Sequence, residues 1–153
     1  MTNIKIGEQI PQFRSTTTEG ATFTLDDMKG SPTVLYFYPK DNTSGCTKQA
    51  CAFAALNSEI ESKNAVVIGV SRDSAASHQK FADKNGLNFL LLSDPGAEVT
   101  NLYGAWQEKT MCGKTSMGVV RTTVIIDENG EVEKIMSKVK AESNPADVNR
   151  YLG

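Results

Sequence analysis

Residues 34–51 read VLYFYPKDNTSGCTKQAC, and this stretch decides the predicted fold. The apolar run 34–38 predicts a strand that is buried on both faces, since a half-buried strand would alternate polar and apolar residues. Pro39 ends the strand, a polar loop of turn residues follows, and a helical pattern begins near Cys46. One cysteine is therefore predicted to lie in the first turn of a helix, and Cys51 follows five residues later.

Length and composition suit one globular domain spanning residues 1–153, with 39% hydrophobic and 22% charged residues. The net charge of −2 argues against nucleic-acid binding, which needs a basic face. The N-terminus lacks the charged start and apolar core of a secretory signal, and no run approaches the roughly 20 apolar residues of a membrane span. We therefore expect a cytoplasmic protein that binds neither nucleic acid nor membranes. Its three cysteines favour catalysis or metal binding over a structural disulfide framework.

Strand and helix patterns alternate along the rest of the chain. The predicted strands cover 13–17, 21–25, 33–38, 65–71, 89–92, 122–127 and 132–137. The predicted helices cover 46–63, 75–84, 97–103 and 144–152, with a short helical turn over 25–30. Residues 104–118 are predicted to be the least regular segment. An N-terminal β-hairpin, a βαβαβ unit, a second hairpin and a last helix together predict an α/β fold, in which helices flank a mixed central sheet.

Cys46 is the leading candidate for chemistry. The N-terminus of a helix presents unpaired N–H groups and a partial positive charge, which favour a thiolate over a thiol. Thr43 offers a hydroxyl three residues earlier, and Gly45 allows the backbone to approach closely. The alternative is a small buried apolar residue, the usual state of a free cysteine. The polar residues on both sides of Cys46 favour the functional interpretation.

The spacing of the two cysteines leaves two interpretations of Cys51. On an ideal helix, five residues advance about 7.5 Å and turn about 140°, so the two Cα atoms lie roughly 8–9 Å apart. A disulfide tolerates roughly 7 Å, so a bond between Cys46 and Cys51 requires the first helical turns to unwind. Cys51 is therefore either a redox partner that couples oxidation to local unfolding or a core residue. A zinc site is disfavoured, because His78 is the only histidine of the sequence. His78 itself is expected to be exposed on its helix.

The sequence resembles the peroxiredoxins, and in particular their bacterioferritin comigratory protein (peroxiredoxin Q) subfamily of atypical 2-Cys type. The pattern Pro39-x-x-x-Thr43-x-x-Cys46 is similar to the peroxiredoxin active-site signature, and Cys51 follows as in that subfamily. Further blocks match in the same order: GVSRDS at 69–74, FLLLSD at 89–94 and MGVVRTTVIIDENG at 117–130. The resemblance implies a thioredoxin-like fold and the reduction of peroxides by cysteine.

The resemblance also implies a role for each matching residue. Cys46 would be the peroxidatic cysteine, and Cys51 would resolve its sulfenic acid as an intramolecular disulfide. Thr43 would hydrogen-bond the thiolate and the peroxide, Pro39 would shield the pocket, and Arg121 would hold the thiolate and polarise the peroxide. Hydrogen peroxide and organic hydroperoxides would be the substrates, and thioredoxin or a similar dithiol the reductant. No metal or organic cofactor would be needed, and the family leads us to expect a monomer.

Three positions depart from the subfamily. Ser44 stands where proline is usual, which predicts a more flexible loop. Gln49 stands where a glutamate would help to position Arg121, so the charge of the pocket is expected to differ. Cys112 stands where an aromatic residue is usual. We expect an unpaired loop thiol there, and the alternative is a second resolving partner or a link to another chain.

Two function classes fit these observations. The first is a thiol peroxidase, and the second is a thiol–disulfide oxidoreductase or redox-sensing interaction protein on the same fold. The second class often uses a C-x-x-C pair, whereas four residues separate the cysteines here. Together with Arg121 and Thr43, this spacing favours the peroxidase.

Overall fold

The structure, a computed structural model, describes residues 4–153 apart from the side chain of Met111. Its strands are β1 (Arg14–Thr17), β2 (Thr22–Thr24), β3 (Thr33–Phe37), β4 (Val66–Ser71), β5 (Leu90–Ser93), β6 (Trp106–Met111), β7 (Lys114–Val119), β8 (Thr122–Ile126) and β9 (Val132–Met136). Its helices are α1 (Ser44–Ser62), α2 (Ala75–Asn85), α3 (Glu98–Leu102) and α4 (Asn144–Tyr151), and a 3₁₀ turn spans Leu25–Met28. No helix in this described range has the length and apolar character that crossing a bilayer requires.

Seven of the described strands form one mixed sheet in the order β2-β1-β5-β4-β3-β8-β9. β3, β4 and β5 run parallel, whereas β8 pairs antiparallel with β3 and β1 pairs antiparallel with β5. The parallel neighbours follow from the helical connections α1 and α2, because a parallel pair needs a crossover. β1 and β2 form the predicted N-terminal hairpin. The predicted α/β fold with a mixed central sheet is confirmed.

β3 lies inside the sheet, and all five of its residues are buried. Successive side chains of a strand point to opposite faces, so Val34 and Tyr36 enter the core on one face, and Leu35 and Phe37 enter the core on the other. The first core is completed from three helices, by Phe53 and Ile60 of α1, Phe81 of α2 and Val148 of α4. The 3₁₀ turn and α3 contribute to the second core. Burial on both faces explains why β3 is a continuous apolar run.

The prediction for residues 104–118 is wrong. β6 and β7 pair with each other as an antiparallel hairpin, separate from the main sheet. Cys112 and Gly113 connect the two strands and have positive φ angles of 52° and 79°, as a two-residue hairpin turn requires. Most side chains of β7 are exposed, so the sequence lacks the alternation by which a half-buried strand is recognised. The other predicted elements are confirmed to within two residues at each end.

Candidate active site

The loop after β3 brings Cys46 to the start of α1. β3 ends at Phe37, and α1 begins at Ser44 with Thr43 as its N-cap residue. The first hydrogen bond of α1 runs from Thr47 N–H to Thr43 O, so the N–H groups before it, including that of Cys46, have no acceptor within the helix. These groups carry the partial positive charge of the helix N-terminus. The predicted position of Cys46 in the first helical turn is confirmed.

Arg121 lies against Cys46 although the two are far apart in sequence. Its Nη1 donates to Cys46 Sγ at 3.5 Å. Arg121 directly precedes β8, and β8 pairs with β3 so that Thr122 lies opposite Phe37. The start of β8 therefore meets the end of β3, where the loop to Cys46 begins. Cys46 is only 1% exposed, so its sulfur is buried in contact with the guanidinium group.

Gly45 leaves room for the guanidinium. A Cβ atom at this position would lie 3.2 Å from Arg121 Nη2, a tighter contact than most side chains make. A groove of about 590 Å³ opens beside the same helical turn and is lined by Ser44, Gly45, Lys48, Arg121 and residues 140–143. The groove gives a small molecule access to the turn of α1 that holds the buried sulfur.

A chain of hydrogen bonds holds Arg121 from the side of the helix. Arg121 Nη1 donates to Gln49 Oε1 at 2.7 Å, and Gln49 Nε2 donates to Asn144 Oδ1 at 3.1 Å. Thr123 Oγ1 donates to the same Asn144 oxygen at 2.8 Å. Gln49 and Asn144 are buried, so these partners determine how each amide is oriented. The chain ties α4 to α1 and presents a neutral amide, rather than a carboxylate, to the guanidinium.

Thr43 and Pro39 have other contacts. Thr43 Oγ1 donates to Lys40 O at 2.8 Å, so its proton is used within the loop and is not directed at the sulfur. Pro39 is half-buried and borders a different groove, which Trp106 also lines. The roles expected of Thr43 and Pro39 at the peroxide therefore stay predictions.

Cys51 lies about 1.4 turns further along α1 and is exposed. The interpretation of Cys51 as a core residue is therefore wrong. Its Sγ donates to Asn85 Oδ1, at the end of α2, over a long distance of 3.8 Å. Cys46, Cys51 and Cys112 are all free, and α1 is continuous through the first two of them. With both thiols free, the helix that carries them is intact.

His78 is the residue that sequence reasoning misplaced. It was expected to be exposed, but its side chain is fully buried. His78 Nδ1 lies 2.8 Å from Asp41 Oδ2, and His78 Nε2 donates to Leu92 O at 3.0 Å. The overlooked signal is the spacing of His78 and Phe81, which are three positions apart along α2 and both lie on its buried face.

The surroundings of His78 also contain a set of side chains of the type that binds cations. Asp41, Asp73 and His78 place one ligand atom each within 4.8 Å of one another. These atoms are already engaged, because Asp73 Oδ2 accepts from Ser71 Oγ at 2.6 Å and from Asp41 N–H at 2.9 Å. Burial alone would raise the pKa of Asp41, but hydrogen bonds from His78 and two hydroxyls lower it below its ordinary value of 3.8. The cluster is a satisfied network around an ionised carboxylate.

Comparisons with known proteins agree with this geometry. Residues 6–135 match the AhpC/TSA family. Peroxiredoxin Bcp of Bacillus subtilis is 41% identical over 149 residues, which cover 97% of this chain and 95% of the relative. The bacterioferritin comigratory protein of Xanthomonas campestris, solved in work on its alkyl peroxide reduction activity, has a TM-score of 0.87 at 35% identity, covering 92% of this chain and 89% of its own. A peroxiredoxin Q mutant of Xylella fastidiosa has a TM-score of 0.91 at 33% identity, with coverages of 97% and 95%.

The relatives match almost the whole chain, so the likeness is not confined to the cysteine motif. Their fold confirms the thioredoxin-like architecture expected from the resemblance. As peroxiredoxins, these relatives imply a peroxide substrate and a thiol reductant. The chain belongs to the AhpC/TSA family, has peroxiredoxins as its relatives, and is a thiol-dependent peroxidase.

Proposed function

We propose that Cys46 is the peroxidatic cysteine, that Arg121 activates it, and that Cys51 resolves the oxidised product. The observation that supports this assignment best is the 3.5 Å contact between Arg121 Nη1 and Cys46 Sγ in the first turn of α1. A guanidinium and a helix N-terminus both stabilise negative charge, and here both act on one buried sulfur. Cys51 and Cys112 are exposed and have no comparable cation among their described contacts.

In the first step, the Cys46 thiolate attacks one oxygen of the peroxide. The S–O bond forms as the O–O bond breaks, and the leaving oxygen takes a proton to become water or an alcohol. Arg121 and the unpaired N–H groups of the first turn face the place where this negative charge develops. Fixed donors of this kind stabilise a transition state because they need no reorganisation. The product on the enzyme is the sulfenic acid of Cys46.

In the second step, the thiol of Cys51 condenses with the sulfenic acid. The S–S bond forms, the S–OH bond breaks, and water leaves. Since both cysteines belong to one continuous helix, the first turns of α1 must unwind for the sulfurs to meet. This unwinding also breaks the contact between Gln49 and Arg121. A dithiol reductant then restores both thiols by exchange and is itself oxidised to a disulfide.

The proposed substrates are hydrogen peroxide and organic hydroperoxides. The groove beside the first turn of α1 supports access for molecules larger than hydrogen peroxide, and the Xanthomonas relative was solved in work on its alkyl peroxide reduction activity. Thr43 would bind the peroxide after its hydroxyl turns away from Lys40 O, and Pro39 would border the loop. Thioredoxin as the reductant, a monomeric state, one domain and a cytoplasmic location stay predictions.

Mixing the reduced protein with equimolar hydrogen peroxide tests the assignment. We expect rapid loss of two thiols per chain, followed by peptide mapping that finds a disulfide between Cys46 and Cys51. Cys46→Ser should abolish the rapid phase. Cys112→Ser is the matched control, because Cys112 is exposed at the tip of the β6–β7 hairpin. Slow thiol loss that is unchanged in Cys46→Ser would refute the assignment of Cys46, and a disulfide that includes Cys112 would refute the role of Cys51.

A further inference from the structure

The loop between β3 and α1 is anchored by a buried contact between Asp41 and His78 that the proposed mechanism does not use. We propose that the Asp41–His78 pair is a positioning element, which holds this loop, and with it Cys46, in the conformation that reacts with peroxide. The inference rests on the proposed role of Cys46 as the peroxidatic residue. It assigns a role to two residues that do not touch the reacting sulfur.

Asp41 is held by groups from three separate parts of the chain. Its Oδ2 accepts from His78 Nδ1 and from Ser77 Oγ, both at 2.8 Å, at the start of α2. Its Oδ1 accepts from the Tyr38 hydroxyl at 2.6 Å, at the end of β3. Its backbone N–H donates to Asp73 Oδ2 at 2.9 Å, in the segment after β4. Only 4% of Asp41 is exposed, so water does not offer replacement partners for these bonds.

His78 connects this carboxylate to the central sheet. A backbone carbonyl can only accept, so His78 Nε2 must carry a proton to bond Leu92 O in β5. His78 Nδ1 lies 2.8 Å from the Asp41 carboxylate, so the ring bridges the loop and the sheet. The pair is therefore a hydrogen-bonded contact that is closed to solvent. A buried polar network whose members all have partners holds one arrangement of the groups around it, because a broken bond leaves a polar group without a partner.

The arrangement specified here leads directly to Cys46. Asn42 follows Asp41 with a left-handed φ of 62°, and the Thr43 hydroxyl donates to Lys40 O. α1 begins at the next residue, so Asp41 is the last residue before the reactive turn with a described hydrogen bond to a distant part of the chain. The contact between Cys46 and Arg121 depends on where this loop ends. A displacement of about 1 Å at a reacting group can cost roughly 100-fold in rate.

The same anchor separates the part of the chain that must move from the part that need not. The partners of Asp41 lie at the end of β3, in α2 and after β4, and none belongs to α1. The first turns of α1 can therefore unwind toward Cys51 while Asp41 stays in place. Asn42 and Thr43 then form the boundary of the moving segment. After each cycle, the first turn of α1 would fold again next to the fixed Asp41 and so regain its reactive geometry.

Two substitutions of His78 separate positioning from general stability. In His78→Asn, the amide nitrogen occupies the place of Nδ1, so the donor to Asp41 is kept. In His78→Gln, the amide nitrogen occupies the place of Nε2, so the donor to Leu92 O is kept. Both variants lose the ring and one hydrogen bond. We expect the rate at which hydrogen peroxide oxidises Cys46 to be about tenfold lower in His78→Gln than in His78→Asn. The rates are measured in single turnovers at a temperature where both variants are folded. Denaturant unfolding supplies the matching stabilities.

A control variant and a milder variant complete the test. Val132→Ala weakens the core on the opposite face of the sheet, and it should lower stability while Cys46 is oxidised at the wild-type rate. Tyr38→Phe removes one donor to Asp41 but keeps the ring, and it should slow the oxidation of Cys46 even if both His78 variants fail to fold.

Equal oxidation rates in His78→Asn and His78→Gln at comparable stability would overturn the positioning role alone. If neither His78 variant folds, a wild-type rate in Tyr38→Phe would overturn it. Rapid thiol loss that persists in Cys46→Ser would instead overturn the role of Cys46, and the inference with it. These results are distinguishable. Cys46→Ser shows which thiol reacts, whereas the His78 variants and Tyr38→Phe show how fast Cys46 reacts.

Discussion

Cys46 and Cys51 lie on the same helix, yet their surroundings differ in almost every respect. Cys46 is buried in the first turn of α1 with Arg121 against its sulfur. Cys51 is exposed, and its described hydrogen bond is a long one to Asn85. Arg121 is in turn held by Gln49, and Gln49 by Asn144. The thiol of Cys46 therefore lies among fixed polar groups, whereas the thiol of Cys51 has one long hydrogen bond.

The difference follows from the two tasks that we propose for the thiols. A thiol that attacks peroxide needs charge stabilisation prepared in advance, because rearranging dipoles during the reaction costs free energy. A thiol that attacks a sulfenic acid on its own chain needs mainly to reach it, since its effective concentration is already high. Cys51 can reach Cys46 only when α1 unwinds, so a weakly held, exposed position does not hinder it. The comparison predicts that substitutions at the two sites affect different steps.

Cys51→Ser should produce the largest separation between the two steps. We expect Cys46 to be oxidised by the first equivalent of peroxide at the wild-type rate, because Cys51 does not contact the reacting sulfur. Turnover with a dithiol reductant should stop, and mass spectrometry should find sulfenic or overoxidised Cys46. Full continued cycling in this variant would show that another thiol resolves, and Cys46→Ser would serve as the non-reacting control.

Arg121→Met should affect Cys46 alone. The substitution keeps a long side chain but removes the charge next to the sulfur, so we expect the rate of Cys46 oxidation to fall about 100-fold. Alkylation of Cys51 should continue at the wild-type rate, because Cys51 is exposed elsewhere on the helix. Arg121→Lys should recover only part of the loss, since a lysine keeps the charge but lacks the planar fork that bonds the sulfur and Gln49 together. An oxidation rate that is unchanged in Arg121→Met would contradict the proposed role.

The smallest predicted effect concerns Asp41 and the way the free energy of unfolding depends on pH in acid. The pKa of Asp41 is lowered in the folded protein, so its contribution to stability is fully present above its ordinary pKa of 3.8 and is lost as the pH falls toward the folded-state value. Below pH 4 this one group should make the free energy of unfolding fall with falling pH, because the unfolded chain binds a proton more readily than the folded carboxylate does. In Asp41→Asn that part of the slope should be absent, as measured by urea unfolding at several pH values. An identical slope in both proteins would show that Asp41 is not perturbed.

The sequence predicted most of the main sheet, because buried parallel strands and amphipathic helices have strong local patterns. It did not predict the β6–β7 hairpin, whose strands are exposed and whose turn is made by Cys112 and Gly113. The prediction that His78 is exposed was also wrong, because polar neighbours in the sequence are typical of a surface histidine and do not reveal the partner of its ring. That partner, Asp41, lies 37 positions earlier and meets His78 only when α2 packs beside the end of β3.

For the candidate site, the sequence by itself determined the strand, the loop and the helix start that place Cys46 in a first helical turn. These are local features, set by the apolar run, the turn residues and the helical pattern that follows. Only the tertiary structure decided which cation reaches the sulfur, because the position of Arg121 depends on the register of β8 against β3. Only the packing of α1 decided that Cys46 is buried and Cys51 exposed. Contacts between distant segments depend on register and packing, which no local pattern encodes.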